Sequence, residues 1–187
     1  MWLSHRFNRA DTFIALLRGI NVSGQKKIKM AELRAVLEDA GLQNVSTYIQ
    51  SGNLVFDSEE SQTKTLQEFI NSIILKHFGF EVPTLVVRRA EIQQVMGDNP
   101  FLDTAESNKL YYVLLQNPPQ KELVEEFNQQ NFEHEDFHVT DNCVYLQCKK
   151  GYGKAKLNNN LIERKLQVQA TTRNDRTLRK LLELSAS

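Results

Sequence analysis

The first strong pattern in the chain is an unbroken apolar run, Phe13 to Leu17, with the length and character of a buried strand. Met30, Leu33, Leu37 and Ala40 then recur at helical spacing, and Gly41 stands where a helix commonly ends on a glycine. "VSTYIQ" and "NLVFDS" read as two strands joined around Ser51-Gly52-Asn53, a hairpin signal. Leu66, Phe69, Ile70, Ile73, Ile74 and Phe78 fall on one stripe, which predicts a helix stopping near Gly79, and "VPTLVVR" follows as a strand. The order is β-α-β-β-α-β.

That order recurs. "LYYVLLQ" predicts a strand, "QKELVEEFNQQ" a helix after Pro118-Pro119, and "DFHVTD" with "CVYLQCK" a hairpin around Asp141-Asn142. "AKLNNNLIERKL", with Leu157, Leu161 and Leu166, predicts a helix, "VQATTR" a strand, and "RTLRKLLEL" a terminal helix. The fold class expected is α+β: two ferredoxin-like (βαββαβ) plaits in one chain, with an extra C-terminal helix. The boundaries are a flexible N-terminal extension over 1–11, a first plait over 12–90, a connecting helix and loop over 91–108, and a second plait over 109–187. The two halves share their pattern of elements and no residue-level repeat.

Composition narrows the class. Hydrophobic residues make up 41% and charged residues 25%, as in ordinary soluble domains. No apolar run approaches the roughly 18 residues of a membrane span. The opening "MWLSHRFNRAD", with Trp2 and His5, lacks the apolar stretch of a signal peptide, so a cytoplasmic location and no membrane partner are expected. Cys143 and Cys148 lie five residues apart on one strand and so point to opposite faces, which excludes a disulfide between them. Net charge is zero but unevenly spread. Residues 1–148 hold 13 basic and 20 acidic side chains, a net of −7, and residues 149–187 hold 10 and 3, a net of +7. Such asymmetry points the C-terminal end toward an anionic partner or toward the acidic remainder of the chain.

Topology sorts the polar residues. In a ferredoxin-like plait the end of the first strand, the start of the first helix and the hairpin between strands two and three share one sheet edge. In the first half that edge collects Arg18, Asn21, Lys26, Lys27 and Lys29 with Gln50, Ser51 and Asn53. A helix start presents unpaired N–H groups and a positive dipole end, which favours phosphate or carboxylate. In the second half, "KKGYGKAKL" and "RNDR" are neighbours at the opposite edge and supply Lys154, Lys156, Arg173, Asn174 and Arg176, with Gly151 and Gly153 allowing close backbone approach. The Gly-x-Gly pair is not followed by the Lys-Ser/Thr of a phosphate-binding P-loop. The candidate ligand-binding residues are thus Arg18, Asn21, Lys29, Gln50, Ser51, Asn53, Lys154, Lys156, Arg173, Asn174 and Arg176. Arg18 paired with Asp57 or Glu32, Asn21 as a turn residue, and Asn174 or Asp175 as a helix cap are the structural alternatives.

"HEDFH", His134 to His138, fits the letters of H-E-x-x-H, but zinc binding needs both histidines on one helix face. Phe137 and Val139 begin a strand instead, on which the two histidines stand roughly 13 Å apart. No metal site and no cofactor are expected. No nucleophile–base pair stands out in the sequence, so catalytic residues are not assigned.

The stretches "IALLRGINVSGQKKIKMAELRAVLEDAGLQNVSTYIQSGNLVF" and "GYGKAKLNNNLIERKLQVQATTRNDRTLRKLLEL" resemble the bacterial DUF1697 family of proteins of unknown function. The resemblance runs from about Thr12 over nearly the whole chain. It implies a cytoplasmic bacterial protein of duplicated ferredoxin-like fold and implies no activity. The family's recurrent polar positions correspond to Arg18, Asn21, Lys29, Gln50, Ser51, Gly52 and Asn53, and later to Gly151, Gly153, Lys156, Asn158, Glu163, Arg164, Arg173, Asn174 and Arg176. Two positions depart: Ala155 stands where the family has Ser, and Asp175 where it has Trp, which would remove a stacking platform. The leading expectation is a protein binding an anionic ligand, a nucleotide or nucleic acid. The alternatives are an enzyme on a small phosphorylated or carboxylated metabolite, and a protein-interaction module. Oligomeric state is left open.

Overall fold

A computed structural model describes residues 10–186 of the protein. Of the expected N-terminal extension, residues 1–9, with Trp2 and His5, lie outside the described residues, and Asp11 already belongs to the first strand. The fold is mixed α+β, with two four-stranded antiparallel sheets and six α-helices among the described residues. The chain divides into two compact units: one runs through Arg89 and takes in the chain end from Glu183, and the other spans Ala90–Leu182. The connecting segment 91–108 therefore belongs to the second unit.

In the first unit the elements are β1 (Asp11–Leu17), α1 (Met30–Asp39), β2 (Gln43–Tyr48), β3 (Asn53–Ser58), α2 (Thr63–Phe78) and β4 (Thr84–Arg88). The sheet order is β2-β3-β1-β4. Strand alternation sends Phe13, Ala15 and Leu17 to the face that meets Leu33 and Leu37 of α1 and Leu66, Ile70 and Ile74 of α2. The α2 stripe is the predicted one, and the helix closes on Gly79 in left-handed geometry (φ 82°), whose N–H donates to the Leu75 carbonyl. Two α2 side chains also serve the chain at the sheet's edge. Gln67 accepts from the Val86 N–H at 2.9 Å and Asn71 from the Val82 N–H at 3.0 Å. Backbone donors that would otherwise be orphaned are thereby satisfied.

In the second unit α3 (Arg89–Gly97) leads to β5 (Leu110–Leu115), α4 (Lys121–Asn128), β6 (Glu135–Val139), β7 (Cys143–Cys148), α5 (Asn159–Leu166), β8 (Ala170–Asn174) and α6 (Asp175–Leu184). The sheet order is β6-β7-β5-β8, the same arrangement as in the first unit. Val113, Leu115, Val144, Leu146 and Cys148 pack with Phe127 of α4 and with Ile162 and Leu166 of α5. The edge strand is again served from a helix, since Glu163 accepts from the Ala170 N–H at 2.8 Å. Asn174 accepts from the Thr177 N–H at 2.8 Å and is the cap of α6.

Both cysteines are free thiols and fully buried, Cys148 in the helix-side core as its register with Val144 and Leu146 predicts. Burial pushes the Cys148 thiol up to about 12, with the Glu135 carboxylate adding to the rise, and pushes Cys143 well above its ordinary range. The thiolate is the reactive form. Both thiols are therefore expected to stay unreactive toward a disulfide reagent in native protein at neutral pH and to react on addition of denaturant. Rapid native labelling of either one would contradict the burial.

Candidate functional site

The predicted convergence at the first unit's edge is built from hydrogen bonds. The Leu17 N–H donates to the Gly52 carbonyl at 2.8 Å, which ties the end of β1 to the hairpin turn. Asn21, at φ 55°, completes the tie: its amide nitrogen donates to the Ile28 and Gln50 carbonyls at 2.9 Å each, and its oxygen accepts from the Ile28 N–H at 2.8 Å. Asn53 is fully buried and sits in β3, opposite Tyr48; its amide donates to the Tyr48 carbonyl at 2.9 Å and to Ser51 Oγ at 3.0 Å. The turn therefore spans four residues, 49–52, beginning two positions before the Ser51-Gly52-Asn53 signal and ending one position before its end. Ile49 carries a left-handed φ of 50° there, a costly conformation for a β-branched residue. The amides of Asn21 and Asn53 thus organise the loop.

The charged residues behave differently. Lys26 Nζ donates to the Glu81 carbonyl at 2.6 Å and lies 6.0 Å from the Phe80 ring centroid, pinning the loop to the segment after α2. Arg18 is half-buried, and its N–H donates to the Pro83 carbonyl. The carboxylates considered as partners for it are engaged: Asp57 accepts from Thr12 at 2.6 Å and Asn44 at 2.7 Å, and Glu32 meets His77 at 3.1 Å. Lys27 and Lys29 are exposed and make no ion pair among the described residues. Lys29 holds the N-cap position of α1 with no side-chain cap, as a side chain without an acceptor must. Gln50 and Ser51 are exposed on the adjoining turn.

In the second unit the loop after β7 does lie against β8. The Tyr152 hydroxyl donates to Thr172 Oγ1 at 3.2 Å and accepts from the Asn159 N–H at 2.9 Å, while its ring stacks on Tyr111 at 4.9 Å. Thr172 donates in turn to Asn159 Oδ1 at 2.7 Å. Lys154, Lys156, Asn174 and Arg176 are exposed. Arg173, one residue past Thr172, turns to the other face of the sheet by strand alternation. It is 8% exposed, opposes Tyr112 in the register and donates to the Thr172 carbonyl at 2.9 Å. Burial holds its guanidinium down at about 10. Arg173 is thus separated from the exposed lysines of its own unit.

That second face carries a cluster which the spacing of residues does not reveal. Asp175, 1% exposed, accepts from the Tyr112 hydroxyl at 3.1 Å and from Arg179 Nε at 2.6 Å. Burial, with Asp175's charge assisting, raises Tyr112 to about 12, and the hydrogen bond to Asp175 raises Arg179. Tyr145 stands edge-on to Tyr112 at 5.9 Å, and His138 stacks on Tyr145 at 6.3 Å. Only the i,i+4 spacing of Asp175 and Arg179 is visible in the sequence. Tyr112 joins from a strand 63 residues away. The "HEDFH" segment is a strand over Glu135–Val139, so the helix needed for that zinc pattern does not form. No group of three or more His, Cys, Asp or Glu among the described residues is placed to hold a metal ion, and no described helix is long and apolar enough to cross a membrane.

A mixed α+β fold with two four-stranded antiparallel sheets of the same strand arrangement is the class the structure defines. The chain belongs to the DUF1697 family, proteins of unknown function, whose profile matches residues 10–145. Its fold is similar to that of the conserved bacterial protein SP0830 from Streptococcus pneumoniae. The TM-score is 0.71 at 20% identity, over 94% of this chain and 99% of that one. Among curated proteins no match was found.

Proposed function

We propose that the protein is a cytoplasmic bacterial nucleic-acid-binding protein built on two ferredoxin-like plaits, with the loop before α1 as a phosphate-contacting surface. The helix-over-sheet order β-α-β-β-α-β and the strand order β2-β3-β1-β4 support the plait. One observation carries the function. Lys27 and Lys29, exposed and free of ion pairs among the described residues, flank a helix start that lacks a side-chain cap. The unpaired N–H groups of that turn and the dipole behind them favour an anion, and the lysines add mobile charge. Exposed cations on a protruding loop suit the backbone of an extended polyanion. Asn21, Gln50 and Asn53 serve this surface indirectly, by fixing the loop. Lys154, Lys156 and Arg176 form a separate exposed set in the second unit that would contact phosphate in the same way.

Binding of this kind is electrostatic, and log affinity falls linearly with log salt. A Lys27→Ala/Lys29→Ala variant is expected to bind a labelled single-stranded oligonucleotide about tenfold more weakly at low salt, with a salt slope reduced by about 1.4 for two lost contacts. Fluorescence anisotropy across a salt series measures both. Wild-type affinity that ignores salt, or a variant with unchanged slope, overturns the proposal. Thermal-shift responses to small phosphorylated metabolites without oligonucleotide binding would favour the metabolite alternative.

A further inference from the structure

The outer edge of the second unit's sheet carries a groove of about 510 Å³, walled by Phe101, Phe132 and Phe137, by the amides of Gln130 and Asn131, and by Glu135. Glu135 is the unusual member. It is a carboxylate only 7% exposed, on the core-facing side of β6, and it makes no hydrogen bond or ion pair among the described residues. The groove's other carboxylate, Asp136, is already matched by Lys149 at 2.9 Å, and Lys150 Nζ is engaged at the His134 ring, 2.6 Å away. No lysine or arginine lines the groove. The Glu135 oxygens keep a narrow opening to water on the groove, and no protein group replaces the hydration they give up; carboxylates so enclosed are ordinarily paired.

We infer that this groove binds an organic cation, an ammonium or guanidinium on an alkyl chain, with Glu135 as its counter-ion. The chemistry fits in three respects. The carboxylate gains a charge-assisted partner. The three phenylalanines offer apolar surface to the alkyl stem and ring faces to the cationic head. Amide oxygens of Gln130 and Asn131 can accept the remaining N–H groups.

The cation has two possible sources. One is a free amine. The other is a Lys or Arg side chain of an extended segment laid along β6, which is the last strand of its sheet. The Lys149 N–H donates to the His134 carbonyl and the Thr140 N–H to the Cys143 carbonyl. By antiparallel alternation, Phe137 and Val139 turn their N–H and C=O groups to the open edge. An extended chain could pair there while its cation enters the groove.

Titration calorimetry on the full chain separates these cases, with agmatine, cadaverine and the peptide acetyl-Val-Lys-Val-Lys-Val-amide as probes and pentanol as the uncharged control. Saturable binding of at least one cationic probe is expected, with pentanol silent. Glu135→Gln should weaken binding about tenfold or more, while Glu133→Gln, at an exposed carboxylate outside the groove, changes it less than about twofold. Amines binding as well as the peptide would identify the free cation; the peptide alone would identify strand pairing; both support the site. Thermal denaturation guards against a purely structural effect, because Glu135→Gln removes an unmatched carboxylate and should leave the melting temperature unchanged or higher. Absence of binding by every cationic probe at millimolar concentration, or equal binding by Glu135→Gln, overturns the inference. A large drop in melting temperature in that variant does the same, since it would show the carboxylate to be already satisfied within the fold.

Discussion

Gly52→Ala is expected to destabilise the protein by about 3 kcal/mol, measured as a lowered urea midpoint of the first unit at unchanged slope. Two penalties combine. Gly52 holds a φ of 84°, a left-handed conformation that costs an L-residue about 1 kcal/mol. A methyl group there would also stand 2.7 Å from Leu17 Cβ and 2.8 Å from Ile20 Cδ1, well inside contact distance. Leu17 is a core residue of β1 whose own N–H is bonded to the Gly52 carbonyl, so relief by moving the strand is costly. The compliant neighbour is Ile20, and moving it displaces the loop that carries Asn21 and the lysines. Stability and oligonucleotide affinity should therefore fall together in this variant, whereas Lys27→Ala/Lys29→Ala lowers affinity alone. A loss below about 0.5 kcal/mol, the level of an ordinary surface change, would mean that the turn does not approach the strand this closely.

Much of this geometry is legible in the sequence because it follows from periodicity and chain direction. The stripes of α1 and α2, the left-handed stop at Gly79 and the duplicated element order are all local signals. Once the order is known, antiparallel pairing brings the end of β1 to the β2–β3 turn, and the Leu17–Gly52 and Asn21–Gln50 hydrogen bonds are that meeting. What a linear pattern does not carry is the direction in which a polar side chain spends its hydrogen bonds. Asn21 and Asn53 read equally well as ligand donors or as loop fasteners, and the coordinates show them fastening. Arg173 reads as one more cation beside the lysines, yet a single step along β8 sends it from the Thr172 side to the buried side. Glu135 offered no signal, because its missing partner is a property of the packed edge.

The polar positions that the sequence resemblance singles out then take on a physical order. Asn158 accepts from the Leu161 N–H and starts α5; Asn174 does the same for α6. Glu163 closes the β8 edge, and Asn21 closes the loop before α1. Each satisfies a backbone donor at an element end, where the chain has no partner of its own. Lys29, Lys156 and Arg176 remain exposed after that accounting. Asp175, the position at which the resemblance implies a Trp, lies inside the fold with Tyr112 and Arg179.

Asn21 allows the fastening role to be measured directly. Asn21→Ala removes three hydrogen bonds and leaves a left-handed φ of 55° on a residue that disfavours it. At about 1 kcal/mol per bond, discounted for the exposed bond to Gln50, with about 1 kcal/mol for the backbone, the expected loss is about 3 kcal/mol. Asn21→Gly keeps the conformation at no steric cost and should lose only about 2 kcal/mol, so the pair separates backbone from side chain. Asn21→Asp sharpens the assignment. The donor facing the Ile28 and Gln50 carbonyls becomes an acceptor, and the introduced carboxyl can donate only when protonated. Its folded-state pKa would therefore lie above the unfolded value, and the folded protein binds the extra proton. Stability of that variant should rise as pH falls through the carboxyl range and should be lowest at neutral pH, opposite to the trend of a salt-bridged aspartate. A ligand-donor role predicts something else: all three substitutions would leave the unfolding transition in place and lower only oligonucleotide affinity. Urea denaturation of the three variants at two pH values decides between them.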